Sequence, residues 1–70
     1  MDNKKLKAEI ESILFTMGES VEVAVIAKAL DIKSADVRKL VKELQDDYAD
    51  ESRGLKIIEL DNAYQMCTKP

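Results

Sequence analysis

The sequence predicts an α+β fold, three short helices followed by a β-hairpin. Two observations carry that prediction. From residue 3 to residue 49, apolar side chains recur at the spacing of amphipathic helices, broken by two polar stretches. From residue 55 the helical period gives way to two short apolar-rich runs around a polar centre, the pattern of paired strands.

Leu6, Ile10, Ile13, Leu14 and Met17 form the first helical stripe, predicting a helix over residues 3–17. Gly18 closes it, because glycine enters the left-handed conformation that ends many helices, and the polar Glu19-Ser20 that follows reads as a turn. Val23, Ile26, Ala27 and Leu30 make a shorter second stripe that stops at Asp31-Ile32-Lys33. Ser34 then stands where an N-cap hydroxyl would satisfy a free backbone N–H, and Asp36 adds negative charge at the positive end of the third helix. Val37, Leu40, Val41, Leu44 and Tyr48 carry that helix to about residue 49, with Leu44 mid-stripe and Tyr48 at the end, where it should matter less.

Leu55 to Leu60 and Tyr64 to Thr68 are the strands of the hairpin. Between them Asn62 is followed by alanine and not glycine, so a loop of three or more residues is expected over Asp61-Asn62-Ala63. Three helices and then a hairpin, with a four-residue turn between the second and third helices, is the order of a winged helix-turn-helix. The alternative is a three-helix bundle with a loosely attached hairpin. It is disfavoured because a hairpin needs a covering surface to be stable.

Seventy residues with 46% apolar content support one core and one domain, residues 1–70. Charged residues make up 36% but alternate in sign, so the chain reads as globular. Cys67 is the sole cysteine, and no apolar run approaches the ~20 residues that span a bilayer, which points to a reducing cytoplasmic setting without membrane insertion. The amino terminus lacks the apolar stretch of a secretory signal.

Chemistry is sparse. The chain has no histidine, so Ser12, Ser20, Ser34 and Ser52 lack the usual general base, and one cysteine cannot supply a four-ligand zinc site. Neither Gly18 nor Gly54 belongs to a phosphate-cradling loop. No cofactor or metal is expected, nor any enzymatic activity. Asp46, Asp47, Asp50 and Glu51 cluster without the spacing of a calcium loop and read as a solvated face. Cys67 reads as a small hydrophobe in a strand.

Nucleic acid is the serious alternative, since the third helix of a helix-turn-helix enters the major groove. Lys33, Arg38, Lys39 and Lys42 form a basic cluster there. Lys39 with Glu43 and Lys42 with Asp46 can pair along the helix, however, and the hairpin turn offers Asp61 and Asn62 with Glu59 close behind. A net charge of −3 also repels phosphate, so at most weak, sequence-nonspecific DNA contact is expected.

Some apolar residues fall off the core stripes. Phe15 lies opposite the first stripe; a second buried face against the hairpin is the expectation, a partner contact the alternative. Val25 is off its stripe as a lone valine. Alternation puts Leu55, Ile57 and Glu59 on one strand face and Lys56, Ile58 and Leu60 on the other, so both faces carry apolar groups. Either a bulge brings both sets into one core, or one face awaits a second subunit or domain. Ile58, Leu60, Phe15 and Val25, in that order, are therefore the candidates for a homodimer interface.

The sequence resembles the amino-terminal domain of the segregation and condensation protein B family over essentially its whole length. The resemblance rests on Ile10-Glu11-Ser12-Ile13-Leu14-Phe15 leading to Gly18-Glu19, and on Ala27-Lys28-Ala29-Leu30 followed by Val37 and Leu40 through Leu44. It rests most specifically on Gly54-Leu55 leading to Ala63-Tyr64-Gln65-Met66-Cys67-Thr68-Lys69-Pro70. Gln65 stands where a basic residue is common, and Glu22-Val23 replace the usual polar cap. The resemblance implies a non-catalytic, nucleoid-associated subunit that joins the kleisin ScpA and the SMC ATPase in chromosome condensation and segregation. It also implies self-association through this domain, the first winged helix of a longer protein. A small DNA-binding transcriptional regulator is the alternative function.

Overall fold

The computed structural model describes residues 3–69. Its elements run α1 (Asn3–Met17), β1 (Val21–Glu22), α2 (Val23–Leu30), α3 (Ser34–Tyr48), β2 (Leu55–Leu60) and β3 (Ala63–Thr68). The three helices and the hairpin are as the periodicity predicts. Strand β1 is not: Val21 and Glu22, between the Glu19-Ser20 turn and the second helix, pair antiparallel with β3, Val21 opposite Tyr64 and Glu22 opposite Ala63. The sheet is thus three-stranded in the order β1-β3-β2. Two residues are too few to show a strand period, which is why β1 leaves no trace in the pattern.

Gly18 ends α1 as expected, with φ +67° and its N–H donating to the Leu14 carbonyl at 3.3 Å. At the end of α2 the same left-handed turn falls on Asp31. The Ile32 N–H reaches back to Ala27 O at 3.0 Å and Asp31 N–H to Lys28 O at 3.3 Å, so two terminal carbonyls find donors. Helix α3 starts one residue earlier in its cap than expected. Lys33 is the extended cap residue and its carbonyl accepts from Asp36 and Val37, while the Ser34 side chain makes no capping bond. Once Ser34 has helical geometry, its hydroxyl no longer faces the free N–H groups.

The hairpin register is continuous from Leu55 opposite Thr68 to Leu60 opposite Ala63, without a bulge. Its turn is two residues and not three. Asp61 and Asn62 both have positive φ, 31° and 67°, as a two-residue turn of primed type requires, and short Asp and Asn side chains tolerate that conformation. The Val23 N–H donates to Asn62 O at 2.8 Å, so the hairpin tip satisfies a free amide at the start of α2.

Ile10 and Leu14 of α1, Ile26 of α2 and Val37 and Val41 of α3 are fully buried, so each predicted stripe contributes to the centre of the core. Val21, Ile57 and Tyr64 close the core from the sheet, and Leu6, Ile13, Leu30, Ile32 and Met66 pack around it. Met17, read as the last member of the first stripe, is 52% exposed instead, because α1 runs past the core at that end.

Candidate interaction surfaces

Side chains that share a sheet face follow from the register. Ile57, Glu59, Tyr64 and Met66 point toward the helices, and Glu22, Ala63, Leu60, Ile58, Gln65, Cys67 and Lys56 point away. Ile57, Tyr64 and Met66 join the core, whereas Leu60 is 42% exposed and Ile58 only half-buried. With no bulge to fold the two faces together, the outward face keeps its apolar groups. Val25 is 54% exposed and lies near the hairpin tip, because α2 starts from the bond between Val23 and Asn62.

Phe15 is not part of a second buried face: it is 65% exposed. It stands at the base of the hairpin between two depressions. The larger, about 480 Å³, is lined by Glu11, Tyr48, Arg53, Leu55 and Met66 among others. The smaller includes Leu14, Met66, Cys67 and Thr68. Phe15 thus borders the hairpin without being covered by it. The four candidates therefore run along the hairpin, Val25 and Leu60 at the tip, Ile58 midway and Phe15 at the base.

Within the larger depression the buried Tyr48 hydroxyl donates to the Glu11 carboxylate, and the Arg53 guanidinium lies 5.7 Å from the Tyr48 ring centroid. Burial first, and then the bond to Glu11, push the Tyr48 hydroxyl well above the ordinary phenol range. Loop residues 50–54 are tied to the chain end by Lys69, whose Nζ reaches Asp50 O and whose N–H reaches Gly54 O, both at 2.9 Å. Asp50 accepts from the Ser52 N–H, which holds its carboxyl below the usual range.

The basic cluster on α3 is arranged differently from the expected pairs along one helix. Neither Lys39–Glu43 nor Lys42–Asp46 forms. Glu43 and Asp47 instead meet Lys7 of α1, at 3.8 and 3.0 Å, because that cation projects between them from the neighbouring helix. Arg38 turns to the wing, with Nη2 donating to Asn62 Oδ1 at 2.8 Å and Nη1 lying 3.6 Å from the Glu59 carboxylate. The acidic wing thus pairs with Arg38 of the helix that would read DNA, leaving Lys33, Lys39 and Lys42 exposed. Farther along, Gln45 Nε2 donates to Ile57 O at 3.0 Å, so α3 occupies a carbonyl of β2, an outer strand of the sheet.

The family model described as segregation and condensation complex subunit ScpB matches residues 8–70. This chain belongs to that family. Segregation and condensation protein B of Lachnoclostridium phytofermentans is 58% identical over 69 residues, 99% of this chain and 36% of the relative. That of Agathobacter rectalis is 57% identical over 65 residues, 91% of this chain and 35% of the relative. The chain spans about a third of the length of these relatives.

Among solved structures, a crystal structure of a dimer of the ScpB N-terminal domain complexed with ScpA peptide superposes with a TM-score of 0.90 at 31% identity. It covers 94% of this chain and 83% of that one. ScpB from Mycobacterium tuberculosis gives 0.89 at 19% identity over 99% of this chain and 43% of that one, a likeness of fold alone. The winged-helix architecture and the family resemblance are both borne out. No helix among the described residues is long and apolar enough to cross a membrane.

Proposed function

We propose that this chain serves as a non-catalytic subunit of the bacterial condensin-like complex, with the kleisin ScpA and the SMC ATPase, in chromosome condensation and segregation on the cytoplasmic nucleoid. The part played by this domain is homodimerisation. Family membership supports the complex, and the related domain that crystallised as a dimer with ScpA peptide supports both the partner and the self-association. The observation that carries the dimer is the uncovered sheet face: Ile58 and Leu60 point away from all the packed helices. A two-fold pairing would cover them identically in both subunits. The absence of histidine and of a phosphate loop supports the non-catalytic reading.

The test is Ile58→Glu, read by sedimentation over a concentration series. A carboxylate placed at an apolar interface is strongly unfavourable, so the variant should be monomeric where the parent is dimeric, with an unchanged circular dichroism spectrum. A parent that is monomeric at high micromolar concentration overturns the reading, and an unfolded variant assigns Ile58 to the core.

A further inference from the structure

The outward sheet face carries a charge pattern around its apolar centre. The register sets its side chains in three rows: Glu22, Ala63 and Leu60 at the hairpin tip, Gln65 and Ile58 midway, Cys67 and Lys56 at the base. Glu22 and Lys56 occupy opposite corners and are both exposed. Two strand spacings by four residues separate them, about 10 Å by about 13 Å. Building on the dimer reading above, we propose that a second copy covers this face about a two-fold axis lying in the interface plane along the line through Gln65 and Leu60. Each Lys56 then meets the partner subunit's Glu22.

The axis follows from what each charge would otherwise touch. In a face-to-face pairing, an axis along the strands sets Glu22 against the partner subunit's Leu60, and an axis across them sets Lys56 against it. Either arrangement presses a charge onto an apolar side chain, which costs desolvation without a compensating partner. The diagonal axis avoids both. It places Leu60 against its own copy and Ile58 over the partner subunit's Ala63, a small side chain only 8% exposed in the free chain, opposite a large one. The two Gln65 amides, each with donors and an acceptor, come together at the axis. Strands of the two sheets then cross at about 75°, nearer the orthogonal than the aligned arrangement of packed sheets. The apolar centre supplies affinity, and the charged corners select the register.

Charge reversal tests this by sedimentation. Lys56→Glu and Glu22→Lys should each weaken self-association about tenfold or more, since each sets like charges together at two symmetric corners. An equimolar mixture of the two variants should recover the parent affinity, because every corner of the heterodimer then joins opposite charges. The double variant should recover it as well. A dimeric parent indifferent to either reversal, or a mixture no tighter than its components, overturns this register and leaves the dimer reading standing. A monomeric parent removes both.

Discussion

Leu44 lies mid-stripe on α3 with 4% of its surface exposed, surrounded by the core. Leu44→Ala leaves a cavity there and is expected to cost about 2 to 5 kcal/mol in denaturant titration; a loss below about 1 kcal/mol would place the stripe wrongly. Tyr48, at the helix end, is equally buried, and its hydroxyl donates to the Glu11 carboxylate. Core residues such as Leu44 are legible in sequence because burial imposes a period. Partners separated by 24 or 37 residues, as Arg38–Asn62 and Tyr48–Glu11 are, leave no period to read. Hence the i, i+4 pairing expected of Lys39 and Glu43 fails: a cation on a neighbouring helix competes for the same carboxylate.

At the scale of elements, the turns are where backbone conformation decides. Gly18 holds φ +67° with nothing within 4 Å of an added Cβ, so Gly18→Ala meets strain in the backbone and no steric clash. The expected cost is about 1 kcal/mol, of the size that left-handed geometry imposes on L-residues. Gly54, equally unobstructed but without positive φ, is the control: Gly54→Ala should be neutral or slightly stabilising, because it lowers the entropy of the unfolded chain. Equal losses at the two sites would refute the argument. Gly18 was legible because glycine advertises a left-handed turn. Asp31, Asp61 and Asn62 do the same with residues that also serve as ordinary solvent-facing polar groups, so the sequence predicts too long a hairpin turn. Strand β1 exists only through its bonds to β3 and the anchoring of Val23 by the hairpin tip, contacts between distant segments.

For the whole molecule, the winged-helix fold and the placement of its charges point in different functional directions, and the charges decide. The fold offers a recognition helix, but Arg38 in its N-terminal half is held by Glu59 and Asn62 of the wing, and the net charge is −3. Three exposed lysines, Lys33, Lys39 and Lys42, are left to meet phosphates. Each neutralised phosphate contributes about −0.9 to the slope of log affinity against log salt, so any DNA binding should show a slope no steeper than about −3. The dissociation constant at physiological salt should be no tighter than about 10⁻⁶ M, without preference for sequence. Titration of a labelled duplex by fluorescence anisotropy across a salt series measures both. A constant below about 10⁻⁷ M, beyond the reach of nonspecific contact, would restore the DNA-reading function. Arg38→Ala separates the two outcomes: it should loosen the wing and leave this weak binding unchanged, whereas a regulator that reads bases through α3 would lose affinity.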